Sequence, residues 1–387
     1  MKADVASPPL PAFTARPSMA ALCVISATAG LLFNIAPQTT NILRMVFGLS
    51  PKQIAYHSAW ISLGFGLGIV AAMFRFAIQR LALVVGLLLM ALLAPLYAAL
   101  DPMAAAPLFA LPGFGCAMVV GGLFRIVSLT GDGARAVGLL FAAQMLAALI
   151  ANAFLESPLS LTVHVSGLVM AHTAMIGLSL FCVKAVVYPG VTVATPSIPW
   201  RDKLSAALVM SAIATFLTGI VGIWTFLVTF ENAMSESSFV SWTILSLVFA
   251  MLGSLAATVP QIIRILPLSV ALVGAAAVAG CFMMAVPELA LFGLALLSFG
   301  WNFGLAVGTA RLGHFGGSAS LVPLALAMIG VGGALGAGLV GWRLEVGPPD
   351  EALHVAAMPI GFGFAWLALL TMRAGFGPDI KGDHRGS

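Results

Sequence analysis

Apolar residues run through this chain in long blocks separated by short polar breaks. A helix crosses the hydrocarbon of a bilayer with about 20 residues. That ruler predicts twelve helical spans, at residues 19–38, 53–74, 81–100, 105–129, 134–155, 160–187, 204–230, 237–259, 266–286, 288–309, 319–342 and 352–373. The breaks carry turn residues: GLSPK after the first span, DPMAA after the third, GDGAR after the fourth and LESPLS after the fifth. The longest internal break, YPGVTVATPSIPWRDK at 188–203, divides the spans six and six. The expected organisation is a tail (1–18), a six-helix half (19–187), a linker (188–203), a second half (204–373) and a closing tail (374–387).

Composition leaves no soluble alternative. The chain of 387 residues is 61% hydrophobic and 8% charged, with a mean hydropathy of +1.10. A soluble domain carries about 25% charged residues, and so few charges cannot cover a water-facing surface. The chain reads as an all-α polytopic membrane protein. Its net charge of +4 is spread along the sequence and does not mark a nucleic-acid partner. Cys23, Cys116, Cys182 and Cys281 lie inside apolar stretches with no metal-type spacing, and read as small core residues. The first 18 residues are Pro-rich and polar, so Met19 onward reads as a retained span rather than a cleaved signal.

Charge sets the orientation. With the N-terminus in the cytoplasm, only Arg44, Lys52 and Arg343 of the 17 Lys and Arg residues fall outside. Asp101, Glu156, Glu231, Glu236, Glu288, Glu345, Asp350 and Glu351 fall outside with them. An even span count with both ends inside satisfies the positive-inside bias. The expected location is a plasma membrane of the bacterial inner-membrane type.

A shift of 185 residues lays one half on the other. Gly68, Ala71 and Ala72 fall on Gly253, Ala256 and Ala257; Ser50 falls on Ser235, and Gly115 on Gly300. Each match is weak, because Ala and Gly are abundant, but one offset serves spans two, four and five. Parallel six-plus-six repeats of this kind build one large class of transporter.

Twelve spans in two equivalent halves, a central cytoplasmic linker and arginines between spans two and three resemble the major facilitator superfamily. The resemblance covers essentially the whole chain and implies alternating access by two rocking halves. The family's loop motif, G-x-x-x-D-R-x-G-R-R, is degenerate here. GIVAAMFRFAIQR keeps Gly68, Arg75 and Arg80 but lacks the acid and the second glycine. The span-four arginine of proton-coupled members is absent, Phe109 standing four residues before Gly113. Span five, ARAVGLLFAAQMLAALIANAF, lacks the G-x-x-x-G-P-x-x-G-G of many drug antiporters. In this fold spans two and eleven, and five and eight, meet across the halves. Small-residue stripes lie on three of them: Gly64, Gly68 and Ala72; Ala143, Ala147 and Ala151; and, in span eleven, Gly332 with Gly336 and Ala337 with Gly341.

The resemblance places spans one, four, seven and ten around a central cavity. Intramembrane polar groups there offer a substrate site: Asn34 and Gln38, Gln144 and Asn152, Thr215, Thr218 and Trp224, and Trp301 with Asn302. Indole gives an apolar wall with one donor, and an amide gives both donors and acceptors. His57, Ser58 and Trp60 sit toward the outer end of span two. His164 and His172 fall in span six, which is peripheral in this fold, and read as structural. No Asp or Glu lies deep in a span, so coupling or gating is left to Arg75, Arg80, Arg125 and Glu231. So uncharged a cavity suits an amphipathic or weakly polar solute better than a phosphate.

The expected activity is secondary or facilitative transport of a small organic solute. The alternatives are export of hydrophobic compounds and a non-transporting sensor or assembly protein on the same fold. Neither a metal motif nor a catalytic cluster argues for an enzyme. The expected partners are a small-molecule substrate, a proton where transport is coupled, and the lipid bilayer; no cofactor or metal is implied, and the unit is expected to be a monomer.

Overall fold

The computed structural model describes residues 18–73, 80–128, 133–155, 164–186, 200–234, 241–257, 259, 261–262, 265–313 and 321–373. The first half contains α1 (Met19–Asn34), α2 (Ala36–Phe47), α3 (Pro51–Ala72), α4 (Arg80–Ala91), α5 (Leu93–Ala99), α6 (Ala110–Ser128), α7 (Gly133–Leu155) and α8 (His164–Cys182). The second contains α9 (Trp200–Thr225), α10 (Leu227–Met234), α11 (Trp242–Ala256), α12 (Leu266–Met284), α13 (Ala290–Gly313), α14 (Val322–Val346) and α15 (Pro349–Arg373). No strand occurs among the described residues.

Each of the twelve predicted windows holds an apolar helix. Among the described residues eight helical stretches are long and apolar enough to cross a membrane, and the pair α1–α2, bent by 44°, makes a ninth. The other three windows hold the shorter apolar stretches 139–154, 172–185 and 242–256. The structure departs from the expected spans at α9. It starts at Trp200, inside the stretch expected as linker, with Asp202 in the first turn, where the helix dipole favours an acid. Residues 188–199 of that linker, residues 1–17 and 374–387 of the tails, and Arg75 lie outside the described residues.

Local chemistry sets the helix ends on the expected outer face. Gly48, at φ 66°, closes α2 in the left-handed region where only glycine is unstrained. Two residues on, Ser50 opens α3 with a capping box: its hydroxyl accepts from the Gln53 amide, and its own amide donates to Gln53 Oε1 at 2.9 Å. Ser241 caps α11 by the first of these bonds, its hydroxyl accepting from the Ile244 amide.

The halves correspond element by element, but no single offset serves them. The helix breaks at Ile35 and Phe226 and the capping serines Ser50 and Ser241 are spaced alike, more widely than the 185 residues expected. The 3₁₀ turns leading into α6 (Ala106–Phe109) and α13 (Pro287–Leu289) are closer than that. Insertions between elements explain the difference. Gly68 and Gly253, paired by the 185-residue shift, do match in surroundings: a Cβ on either would run into a carbonyl of the next cavity helix, that of Phe114 or Phe299, which are paired by the same shift.

The glycine stripes hold the structure together, though not all where the resemblance put them. Gly64 and Gly68 face the Ala110 and Phe114 carbonyls of α6, within their own half. Gly332 and Gly336 face Leu217 and Thr218 of α9, again within one half. The seam between halves runs one face over. Gly330 meets Ser62 and Gly66 of α3, Gly333 meets the Ser62 hydroxyl, and Gly341 meets Ala55 and the Pro51 carbonyl. Small residues at four-residue spacing predict close approach but not the partner. Ala147 and Ala151 pack against Leu31 and Ile35 of α1, while α7 also packs along α11 across the halves.

Candidate functional site

The site is organised by the two broken helices. Pro37 has no N–H to give the Phe33 carbonyl, four residues back, so the helix breaks at Ile35 and resumes as α2. That released carbonyl accepts the indole N–H of Trp224 at 2.9 Å, from the other half. The second break mirrors the first. At Phe226 the Thr229 amide turns to the Phe226 carbonyl. The Thr225 carbonyl accepts the Thr40 hydroxyl at 2.7 Å, a proton that Thr40 shares with its own Pro37 carbonyl at 2.9 Å. Each break thus frees a backbone acceptor, and the opposite half supplies the donor. A third tie, from the Lys52 amide to Glu345 at 3.3 Å, lies beyond them at the helix ends.

Two cavities lie between the halves. The first is a vestibule toward the expected outer face, walled by Thr39, Thr40, His57, Ser58, Trp224 and Trp301 among others. The second is central and is walled by Asn34, Cys116, Gln144, Trp301 and Asn302 with Phe65 and Phe141. Phe33, Trp301 and Ile329 wall both. Trp301 leans on Trp224 with ring centroids 5.3 Å apart, so the indoles and Phe33 form a partition between the two spaces. Trp301 also borders a smaller space beside Ser246 and Ser298, whose hydroxyls bond at 2.6 Å.

Four of the residues expected to meet a substrate converge on the central cavity: Asn34 and Gln144 from the first half, Trp301 and Asn302 from the second. Gln144 donates to the Ser26 hydroxyl at 2.9 Å, which holds its amide across Gly30. Trp301 Nε1 and Asn302 Nδ2 are buried N–H donors without a protein acceptor. Buried donors are rarely left so, and each without an acceptor costs free energy unless something else accepts. Trp224 walls the vestibule, its N–H already used.

Other expected site residues lie elsewhere. Asn152 binds α7 to α1, donating to the Ala148 carbonyl at 2.7 Å and the Asn34 carbonyl at 3.3 Å. Gln38 lies on α2 and, like Asn152, borders neither cavity. The Thr215 and Thr218 hydroxyls bond back to the Ser211 and Ala214 carbonyls of their own helix.

The residues expected to couple or gate hold helix ends. Arg80 is exposed and donates to the Lys184 and Val186 carbonyls at the end of α8. Arg125 is buried and donates to the Met73 carbonyl at 2.6 Å, closing the end of α3. Glu231 accepts the Trp242 amide at 3.2 Å, joining α10 to α11. Arg75 lies outside the described residues. Among the described residues no group of His, Cys, Asp and Glu could hold a metal ion, and the four cysteines are free.

One side chain stands out that sequence pattern placed only near a helix end. His57 is fully buried on α3, walls the vestibule, and has neither ring nitrogen hydrogen-bonded. Its ring packs on Phe109 at 4.4 Å and stacks on Tyr97 at 5.7 Å. A lone histidine in an apolar helix was the only signal, and nothing in the sequence joined it to rings 40 and more residues on.

This architecture, two sets of helices packed around a weakly polar central cavity, is one that solved membrane transporters share. The chain has the fold of the major facilitator superfamily. It is similar to FucP, a major facilitator transporter solved in the outward conformation, at 16% identity and a TM-score of 0.62 over 91% of this chain and 98% of that one. A second FucP structure, described as the fucose:proton symporter of E. coli, gives 17% identity and a TM-score of 0.61 over the same shares. The nucleoside transporter NupG is similar at 13% identity and a TM-score of 0.66, over 92% of this chain and 99% of that one. No family model matches the sequence. No curated protein matches it either.

Proposed function

We propose that this chain is a secondary transporter that carries a small, uncharged organic solute by alternating access. The observation that carries the reading is the central cavity. Each half gives it polar side chains, and two of its buried donors, Trp301 Nε1 and Asn302 Nδ2, have no protein acceptor. A solute with hydroxyl or carbonyl oxygens would satisfy both donors, and its apolar face would lie against Trp301, Phe65 and Phe141. The cavity walls present no carboxylate, lysine or arginine, so a multiply charged anion would be desolvated there without a partner. The neighbours in fold, a fucose:proton symporter and a nucleoside transporter, support a carrier of hydroxyl-bearing solutes. The ties at Phe33–Trp224 and Thr40–Thr225 fit a conformer closed on the expected outer side. The chain acts as a monomer in a bacterial inner membrane, with both termini cytoplasmic.

The test is counterflow in proteoliposomes with a panel of neutral sugars, nucleosides, small organic acids and hydrophobic amines. At least one neutral, oxygen-bearing solute should exchange. Trp301→Ala and Asn302→Ala should lose exchange while remaining monodisperse in detergent. No exchange of any solute would sink transport and favour a sensor or assembly role. Unchanged exchange in both variants would sink the site.

A further inference from the structure

We propose that His57 is the proton-binding side chain of the transport cycle, neutral while the vestibule is closed and protonated when water enters it. This rests on the transport reading above. Three observations place the proton here. His57 is fully buried in the wall of the vestibule, on the expected outer side of the Phe33–Trp224–Trp301 partition. Neither ring nitrogen has a protein partner, so no neighbour fixes its protonation state. Behind it, Phe109 and Tyr97 offer ring faces rather than a counter-charge.

The physical consequences differ between the two states. Closed, an imidazolium would be buried with two donors unmet, so the neutral ring is favoured. With the vestibule open, water hydrates both nitrogens, and the aromatic faces help to hold the cation. Histidine ordinarily titrates near 6.5, so a change of hydration moves its charge across physiological pH. The proton taken from the outer side with the vestibule open must leave as it closes, and to cross with the solute it passes inward, to water in the central cavity beyond the shared wall of Phe33, Trp301 and Ile329; this links His57 to the same movement that makes and breaks the ties at Trp224 and Thr40.

No other group nearby takes the part. From α5 only Tyr97 faces His57, and the 3₁₀ turn before α6 offers only Phe109. Across the vestibule α2 presents Thr39 and Thr40, α9 presents Trp224 and Thr225, α13 presents Trp301 and α14 presents Ile329. The charged groups of these helices on the vestibule side, Arg44, Lys52, Arg343 and Glu345, stand toward the helix ends, where the Lys52 amide meets Glu345 and Arg343 pairs with Glu351, while Arg201, Asp202 and Lys203 of α9 and Arg311 of α13 lie at the opposite ends. Lys52 is five residues from His57, about 7.5 Å along α3.

Two measurements test this. In the first, proteoliposomes take up the solute found by counterflow, under an imposed gradient of one pH unit with the membrane potential clamped. At one proton per solute, wild-type protein should accumulate it up to about tenfold. His57→Gln, which keeps a polar side chain but cannot ionise, should still exchange solute yet accumulate none. Wild-type uptake that ignores the gradient, or a His57→Gln protein that still accumulates, overturns the proposal. In the second, ¹³C-histidine NMR of the purified protein needs no solute. In Trp224→Phe protein, which lacks one of the ties that close the vestibule, the resonance lost in His57→Gln should titrate over about pH 5–8. A ring that stays neutral throughout in that protein while Ser58→Cys in the vestibule is labelled overturns the proposal even if no solute is found, whereas a failed counterflow panel bears on the transport reading alone.

Discussion

Trp224 gives its indole proton to the Phe33 carbonyl at 2.9 Å, the acceptor that Pro37 leaves free. One residue makes an acceptor available in one half, and the other half uses it. Such a bond can tie two rigid bodies and be released without disturbing either helix, because the carbonyl already lies outside the helical ladder.

Trp224→Phe should loosen this tie and little else. Phenylalanine keeps most of the contact with Trp301 but has no N–H. Hydrogen bonds between membrane helices are worth about 0.6 kcal/mol on average, which is roughly a threefold change in an equilibrium. Labelling of a Ser58→Cys reporter in the vestibule by a membrane-impermeant maleimide should therefore rise about threefold from the outer side. An unchanged rate would mean that the bond is not part of the closed state.

The glycine contacts separate what holds a half from what joins the halves. A Cβ on Gly64 would strike the Ala110 carbonyl within the first half, and one on Gly330 would meet the Gly66 amide and Ser62 carbonyl across the seam. Overpacking of this kind costs about 1–3 kcal/mol. Gly64→Ala should lower thermal stability, while Gly330→Ala should chiefly raise vestibule labelling. Gly66→Ala, whose Cβ meets nothing nearer than the Ala327 carbonyl at 3.9 Å, should leave both unchanged. Equal thermal losses in Gly64→Ala and Gly330→Ala would show that the seam is not a separate joint.

Much of this was legible in the sequence, and the losses have physical causes. Hydropathy marked the twelve windows because a bilayer imposes one length on every crossing. It ended the first span at residue 38, because Gln38, Thr39, Thr40 and Asn41 are polar, and so took for the end of a crossing what is a bend at Ile35 from which the chain goes on as α2. Spacing found Gly64 and Gly68, but the direction they face depends on how α3 is rotated, and that is decided by its neighbours. Asn302 and Trp301 were legible as polar groups in an apolar helix. Asn152 looked the same, yet bonds backbone carbonyls instead. An amide in a membrane helix announces a need for partners, not whether the partner is protein or solute.

Gln144 and Asn302 should therefore behave differently although both wall the central cavity. Gln144 is engaged with Ser26, so Gln144→Ala removes a bond between α7 and α1 and costs about 1 kcal/mol of stability. Asn302 Nδ2 is unengaged, so Asn302→Ala should leave stability unchanged or raise it, and should abolish exchange. Thermal denaturation in detergent beside counterflow separates the two. A loss of stability in Asn302→Ala equal to that of Gln144→Ala would return Asn302 to a structural role.

Cys116 offers a native reporter of the same cavity. Its thiol is fully buried and lies 2.9 Å from the Ala29 carbonyl, on the wall shared with Gln144 and Asn302. Cys23 and Cys182 are half-buried, and Cys281 is buried on α12. Neither Cys23 nor Cys182 walls the cavity, and a small adduct on either leaves it empty. An adduct on Cys116 would occupy space a solute needs. A small permeant methanethiosulfonate should then inhibit exchange, and a transported solute should slow that inhibition by filling the cavity or closing the way to it. Cys116→Ser, which can still donate to Ala29, should transport normally and resist the reagent. Inhibition that persists undiminished in Cys116→Ser would place the sensitive thiol elsewhere and separate this cavity from the path of the solute.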